Sequence, residues 1–204
     1  MLDAVQRYYS EKVVENGPTA QGVDWNDSAS QELRFDQLLK VVDAAEAFTI
    51  NDYGCGYGAL VDHLRKRGYD FSYSGFDISD EMLARARELH GGERFVDRDE
   101  ELEPADYTLA SGIFNVKLDA PVDEWEAHAI RTLSRFDELS TRGFAFNMLT
   151  SYSDPERMRE NLWYPDPRGI FDHCKRTFSR WVALLHDYGL YEFTVLVRKE
   201  LPPA

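Results

Sequence analysis

The sequence predicts an α/β fold in which a mostly parallel β-sheet carries helices on both of its faces. From Phe48 onward, short β-rich runs alternate with amphipathic helical segments, a pattern typical of parallel strands joined by crossover helices. Near the end of the chain, two apolar runs are separated by a short turn, which predicts a closing antiparallel hairpin. Residues 1–46 show helical patterns instead and predict an N-terminal helical cap.

The cap is predicted to contain two helices. The first covers about Leu2 to Glu15, and the second begins at a capping Ser28 or Ser30. The segment between them contains the runs Asn-Gly-Pro and Trp-Asn-Asp-Ser, which are typical of loops.

The core is predicted to follow as alternating strands and helices. The strands are 48–52, 71–77, 94–97, 105–114 and 143–149, and the helices are 59–67, 79–89 and 122–139. A further helix at 167–177 precedes the hairpin strands 181–185 and 191–197. We interpret residues 1–204 as one domain, with the cap at 1–46, the core at 47–204 and a candidate lid at 151–167.

Charge and composition favour a small-molecule ligand. The 204 residues include 23 Lys and Arg against 37 Asp and Glu, and the net charge of −14 disfavours nucleic acids and anionic membranes as partners. No apolar run reaches the ~20 residues of a membrane span, and the first residues lack the apolar stretch of a signal peptide. Two cysteines support neither a disulfide framework nor a zinc cluster. We therefore expect a cytoplasmic protein without a metal, either a monomer or a homodimer.

The most informative stretch runs from Asn51 to Leu60, where three glycines lie between a predicted strand and a predicted helix. Glycines there allow a ligand to approach the backbone closely, and the helix N-terminus offers unpaired N–H groups. The next strand ends in Asp77, nineteen residues after Gly58. Its carboxylate can accept hydrogen bonds from a ribose diol.

Two cofactor classes fit these glycines. Gly54, Gly56 and Ala59 match the dinucleotide pattern G-x-G-x-x-[G/A], so a NAD(P)-dependent oxidoreductase is an alternative. Three features favour another class: Asp52 precedes the first glycine, a third acidic site follows at Asp97, and the terminal hairpin is foreign to repeated βαβ units.

On these residues, the chain resembles the class I S-adenosylmethionine-dependent methyltransferases over about Phe48 to Lys199. The resemblance implies a Rossmann-like sheet of seven strands, in which a seventh, antiparallel strand is inserted near the end. It implies S-adenosylmethionine as the cofactor. The implied binding residues are Asp52, Tyr53, Gly54, Cys55, Gly56 and Gly58 for the methionine portion, Asp77 for the ribose, Ile78 and Met82 for adenine, Asp97 and Arg98 for the adenine edge, and Ser111, Gly112 and Ile113 at the fourth strand. In the cap, Arg34 either binds the methionine carboxylate or lies on a solvated helix surface.

Methyl transfer from a sulfonium requires an aligned acceptor, exclusion of water and, for a hydroxyl or a protonated amine, removal of a proton. No fixed triad is needed; we take His173 as the candidate base and interpret His128 as structural. The run from Ser111 to Asn115 lacks the Asn/Asp-Pro-Pro-aromatic pattern of enzymes that methylate bases or glutamine amides, and Ser111 is a poor magnesium ligand. We therefore predict metal-independent transfer to an O or N atom of a small molecule. A non-catalytic S-adenosylmethionine-binding protein is a further alternative.

Candidate substrate residues come from three segments of the chain. They are Tyr8, Tyr9 and Trp25 in the cap, Asn115 and Lys117 after the fourth strand, and Tyr152, Trp163 and Tyr164 in segment 151–167. That segment is long for a connection, which favours a functional lid, although ordinary packing of its aromatic residues is an equal alternative. As a lid, Trp163 and Tyr164 are expected to meet the cap aromatics over the methyl group.

Overall fold

The computed structural model describes residues 2–16, 28–43 and 46–200. Within these ranges, the helices are α1 (Leu2–Asn16), α2 (Ser28–Leu38), α3 (Ala59–Arg67), α4 (Asp80–Leu89), α5 (Val122–Glu138) and α6 (Pro167–Thr177). The strands are β1 (Phe48–Tyr53), β2 (Phe71–Phe76), β3 (Arg94–Val96), β4 (Ala105–Ala110), β5 (Ser140–Leu149), β6 (Trp181–Leu185) and β7 (Glu192–Arg198). The predicted alternation of strands and helices is confirmed.

The seven strands form one sheet in the order β3-β2-β1-β4-β5-β7-β6. Strand β7 is antiparallel to both of its neighbours, β5 and β6, and the other neighbouring pairs are parallel. The predicted Rossmann-like sheet with an inserted antiparallel strand is confirmed. Because β7 runs backwards, its first residue, Glu192, pairs with Leu149 at the carboxyl end of β5.

Apolar side chains cover both faces of the sheet, as parallel strands under crossover helices require. One cluster joins α2, α3 and α4 to the sheet, and the other joins α1, α5 and α6 to its opposite face. Strand β7 contributes Phe193, Val195 and Val197 to the second cluster and Leu196 to the first, so its alternation is that of a strand buried on both sides.

Local sequence signals explain where the helices near the site begin. The Ser79 hydroxyl accepts a hydrogen bond from the Met82 N–H and caps α4. Asp166 caps α6 in the same way, with Pro167 in the first turn. Both helices therefore begin close to the predicted positions.

Strand β4 is shorter than predicted. The apolar run to Phe114 suggested a strand over 105–114, but β4 ends at Ala110 because Gly112 adopts a φ of +77° and breaks the extended backbone. The Asn115 N–H then closes a turn on the Gly112 carbonyl at 3.2 Å. As a result, residues 111–115 leave the sheet at its carboxyl edge.

In the part of the chain that the structure describes, no helix combines the length and the apolar character that a membrane crossing requires.

Candidate cofactor and active site

The carboxyl ends of β1, β2 and β4 meet at one edge of the sheet, where ligands bind in open α/β folds. A cavity opens at this edge, covered by α1 and α2 and bounded on one side by α5. Its lining residues are Leu2, Val5, Tyr9, Gln31, Phe35, Asp52, Tyr53, Gly54, Cys55, Gly56, Tyr57, Ala59, Phe76, Asp77, Ile78, Met82, Ser111, Gly112, Ile113, Trp125, His128 and Thr132. Most of the residues predicted to hold the cofactor are therefore gathered around one cavity.

The glycine loop forms the floor of this cavity between β1 and α3. Gly54 has a φ of +80°, and a Cβ atom there would lie only 2.2 Å from Cγ2 of Ile113. Gly58 has a φ of +85°, and a Cβ atom there would lie 2.6 Å from Cδ2 of the buried His90. Both positions need glycine because the backbone conformation and the close neighbours exclude a side chain. Gly58 shapes the loop but does not itself line the cavity.

Asp77 joins the glycine loop to the start of α4. Its Oδ2 accepts a hydrogen bond from the Gly56 N–H at 2.8 Å, and its Oδ1 accepts one from the Ser79 N–H at 2.9 Å. Burial raises the pKa of Asp77, and these backbone donors oppose the rise. A carboxylate has about four lone-pair sites, so both oxygens retain acceptor capacity for a ligand in the cavity.

Asp52 lies near the end of β1, buried in the cavity wall. The Tyr73 hydroxyl donates a hydrogen bond to its Oδ2 at 2.7 Å. Burial raises the pKa of Asp52 to about 7, the Tyr73 hydrogen bond lowers it, and the charge of Asp77 raises it further. The carboxyl group therefore changes charge close to neutral pH.

The pKa of Asp52 predicts an unusual pH dependence of stability. Burial raises this pKa from an ordinary 3.8 to about 7. In the pH window between these two values, the folded chain therefore holds up to one proton more than the unfolded chain. The contribution of Asp52 to the free energy of unfolding therefore falls as pH rises through the window and is constant above it. Measured by urea unfolding, the free energy of unfolding of the wild type should fall by about 2–3 kcal/mol relative to that of Asp52→Asn between about pH 5 and pH 8. Parallel pH profiles of the two proteins would contradict this prediction.

Cys55 is a packing residue within the loop. Burial and the charges of Asp77 and Asp52 raise the pKa of its thiol well above the ordinary value. A Cβ atom at Gly75 would lie 2.8 Å from the Cys55 sulfur, so β2 approaches the loop closely here. The thiol is therefore neutral, and it fills the space beneath the loop.

The β4 end contributes the opposite wall through Ser111, Gly112 and Ile113. The Ser111 hydroxyl is buried, and the described residues provide it with no hydrogen-bond partner. Unpaired buried hydroxyls are costly, so this atom is suited to a polar group of a bound ligand. Together with the glycines that no side chain could replace, it fits a cofactor bound closely against the backbone.

Asp97 and Arg98 lie beside the main cavity. They line a second, open depression that shares Ile78 with the main cavity. Both side chains are mostly exposed, and Arg98 donates from Nε to Glu101 at 2.8 Å. They therefore lie next to the main cavity at the end of β3 and do not form part of its lining.

Arg34 has a different partner from the one predicted. Its side chain is buried and not on a solvated helix surface, it does not line the cavity, and its Nε donates to both carboxylate oxygens of Glu192 at 2.9 Å. This ion pair could not be predicted from the sequence because Glu192 lies on β7, 158 residues further along the chain.

No residue of segment 151–167 lines this cavity. Trp163 is buried in the core cluster that contains Val5, and its N–H donates to the Asn115 carbonyl at 2.9 Å. Tyr164 accepts a hydrogen bond from the Arg159 N–H, and Tyr152 is 61% exposed beside His186. None of these residues lines the cavity. The segment packs against the turn after β4, which is the ordinary packing that had been the alternative.

Of the remaining predicted substrate residues that the structure describes, some lie at the cavity and others lie outside it. Tyr9 lines the cavity, and the ring of Tyr8 packs edge-on against the ring of Tyr9, with centroids 5.3 Å apart. Asn115 is buried outside the cavity and accepts a hydrogen bond from the Leu149 N–H, while Lys117 donates to the Leu118 carbonyl. Trp25 lies outside the described residues.

His173 lies outside the cavity on α6, where it packs edge-on against Phe178. His128 lines the cavity instead, one turn of α5 before Thr132. Burial, together with the charge of Arg131, lowers the pKa of His128, so its ring is neutral near pH 7. Its ring centroid lies 5.3 Å from that of Trp125. Sequence reasoning missed this wall, and the spacing of Trp125, His128 and Thr132 along one face of α5 is the signal that could have indicated it.

The described residues contain no group of three or more His, Cys, Asp or Glu side chains placed to hold a metal ion.

Comparisons with known proteins agree with this geometry. A family model described as a methyltransferase domain matches residues 50–134. The chain is 52% identical over 164 residues to the Mycobacterium tuberculosis H37Rv protein named "Putative methyltransferase Rv1506c", a match that covers 79% of this chain and 99% of that protein. Both are methyltransferase matches, which confirms the predicted family over the nicotinamide-dependent alternative.

Solved structures share the fold at low sequence identity. Magnesium protoporphyrin IX methyltransferase from Synechocystis PCC 6803, with bound S-adenosylmethionine, has a TM-score of 0.60 at 13% identity, covering 84% of this chain and 81% of that chain. Human N-acetylserotonin methyltransferase in complex with S-adenosylmethionine has a TM-score of 0.58 at 16% identity, covering 83% and 52%. The chain therefore belongs to the class I S-adenosylmethionine-dependent methyltransferases, with S-adenosylmethionine as its cofactor.

Proposed function

We propose that the protein transfers a methyl group from S-adenosylmethionine to an O or N atom of an uncharged small molecule, without a metal ion. The observation that carries this proposal is the lining of the cavity beyond the glycine loop. Within the described ranges that lining contains aromatic and aliphatic side chains from α1, α2 and α5 and neither lysine nor arginine. An anionic acceptor would find no compensating charge there.

The cofactor fits the residues at the strand ends. The Gly54–Gly58 loop would hold the methionine portion, Asp77 would accept hydrogen bonds from the ribose hydroxyls, and Ile78 and Met82 would pack against adenine. Bound there, S-adenosylmethionine supplies an activated methyl group on a sulfonium leaving group. The chain itself has to align the acceptor and keep water out.

The acceptor would lie against the apolar part of the cavity. Tyr9 and Phe35 offer rings against which a flat molecule can pack, and the side chains of α1 and α2 would help to keep water from it. Gln31 and the neutral imidazole of His128 are the polar groups near these rings that can fix an acceptor hydroxyl or amine. His128 therefore replaces His173 as the candidate to hold or accept a proton.

A direct test is methyl transfer to a panel of neutral aromatic and heterocyclic alcohols and amines. We expect formation of S-adenosylhomocysteine with at least one of them, at an unchanged rate in the presence of EDTA. Turnover that requires an added divalent cation, or that occurs only with a nucleic acid, would contradict the proposal. Tight cofactor binding without turnover on any acceptor class would favour the non-catalytic alternative.

Cofactor choice can be measured without a substrate. S-adenosylmethionine or S-adenosylhomocysteine at about 100 times its Kd should stabilise the protein by roughly 2.7 kcal/mol and raise Tm by about 5–10 °C. NADH and NADPH at the same concentration should leave Tm unchanged, because the cavity lining that the structure describes has neither lysine nor arginine for the additional phosphate groups. A Tm increase with the nicotinamide cofactors alone would contradict this prediction.

A further inference from the structure

A chain of buried hydrogen bonds connects α2 to the end of β4. Arg34 donates to both oxygens of Glu192 through Nε, and its Nη2 donates to the same carboxylate. The Asn147 side-chain N–H donates to Oε2 of Glu192, and the Asn147 oxygen accepts the Gly112 N–H at 2.8 Å. All three side chains are less than 10% exposed.

Both ends of this chain reach the cavity wall. Gly112 lines the cavity and has a φ of +77°. The hydrogen bond from its backbone N–H to Asn147 helps to fix this conformation and therefore the position of the cavity wall. At the other end, Gln31 and Phe35 line the cavity from α2, on either side of Arg34 in the sequence. The network thus fixes one helical wall relative to the strand end on the opposite side.

Stability alone gives a weak reason for such a network. Burying an ion pair costs desolvation energy that its Coulomb attraction often fails to exceed, and an apolar substitute is often no less stable. The groups that link these side chains are nevertheless matched, because the carboxylate of Glu192 accepts from both Arg34 and Asn147, and the amide of Asn147 donates on one side and accepts on the other.

We propose that Glu192 is a positioning residue of the methyltransferase site, which acts through Asn147 on Gly112 and through Arg34 on the cavity face of α2. It touches neither the cofactor nor the acceptor, and its effect is on the shape of the cavity into which the cofactor binds. The inference depends on cofactor binding in that cavity and is independent of the acceptor proposed above.

The direction of the hydrogen bonds makes the proposal testable by exchanging two groups. Glu192→Gln replaces a carboxylate, which only accepts hydrogen bonds, by an amide. The NH2 group of that amide must face one of the two present donors, either Arg34 or the Asn147 side-chain N–H. Where the new NH2 group faces Asn147, the Asn147 amide must turn over to offer its oxygen. The Asn147 side-chain N–H then faces the backbone N–H of Gly112, and two donors oppose each other. Adding Asn147→Asp restores an acceptor on both sides of position 147 and returns the lost negative charge to the network.

The measurement is the affinity for S-adenosylhomocysteine by calorimetry, at a temperature where circular dichroism shows each variant folded. Glu192→Gln should bind about tenfold more weakly, and the exchanged pair Glu192→Gln/Asn147→Asp should return to within about threefold of the wild type. Asn147→Ala cuts the link to Gly112 and leaves the Arg34 ion pair in place. It should also bind about tenfold more weakly, and it decides the question if Glu192→Gln does not fold.

A matched control comes from the opposite end of β5. Ser140 is buried, and its hydroxyl donates to Thr108 Oγ1 at 2.9 Å, far from the cavity. Ser140→Ala should lower Tm and leave the affinity unchanged. Wild-type affinity in Asn147→Ala with a lowered Tm would overturn the proposal in favour of a purely structural network. An exchanged pair that binds no better than Glu192→Gln would overturn it as well.

Discussion

Replacing Asp77 with alanine is expected to weaken S-adenosylhomocysteine binding by about ten- to a hundred-fold. The carboxylate holds the Gly56 and Ser79 N–H groups and retains acceptor capacity toward the cavity. Charge-assisted hydrogen bonds of this kind contribute roughly 1.5–3 kcal/mol. Calorimetry on the folded variant measures the change directly.

The variant also removes the acceptor of two backbone donors, so weaker binding by itself would not identify the ribose as the partner. Comparing S-adenosylhomocysteine with its 2′-deoxy analogue separates the two effects. If Asp77 binds the diol, the wild type should discriminate against the analogue, and Asp77→Ala should bind both compounds with nearly equal affinity. Equal discrimination in both proteins would show that Asp77 acts only on the loop.

Much of the fold followed from local signals in the sequence. Alternation of strands and helices predicted the sheet, and the turn at Asp187 to Leu190 between two apolar runs predicted the antiparallel β7. The end of β4 was predicted wrongly because the run to Phe114 is apolar throughout. A single glycine with positive φ, Gly112, ends the strand four residues earlier, and apolar periodicity contains no information about that conformation.

For the site as well, residues that are neighbours in the sequence could be predicted, and contacts between distant parts of the chain could not. The glycine loop and Asp77 could be located because a strand end and the following helix are neighbours in the sequence as well as in space. The partner of Arg34 could not, because Glu192 is distant in sequence and becomes a neighbour only once β7 is inserted in the sheet. Trp163 was ambiguous for another reason, since an aromatic side chain in a long loop has the same sequence signature in a lid and in a core.

Substituting Gly54 tests how closely the cofactor loop depends on the end of β4. Gly54 and Gly68 both have positive φ, +80° and +74°, but a Cβ atom at Gly68 would meet nothing within 4 Å, whereas one at Gly54 would lie 2.2 Å from Ile113. Gly68→Ala therefore measures the backbone strain alone, which we expect to cost about 1–2 kcal/mol in the free energy of unfolding.

Gly54→Ala adds the collision with Ile113, so the total loss should reach about 2–5 kcal/mol. Since Ile113 lies in the cavity wall beside Gly112, the forced shift should also weaken S-adenosylhomocysteine binding by about tenfold or more, while Gly68→Ala binds as the wild type does. Urea unfolding and calorimetry on the two variants give both quantities. Gly54→Ala with Ile113→Ala should recover part of the binding, because the smaller side chain relieves the collision. Equal losses in the two glycine variants would mean that strain, and not the close approach of β4, determines the loop.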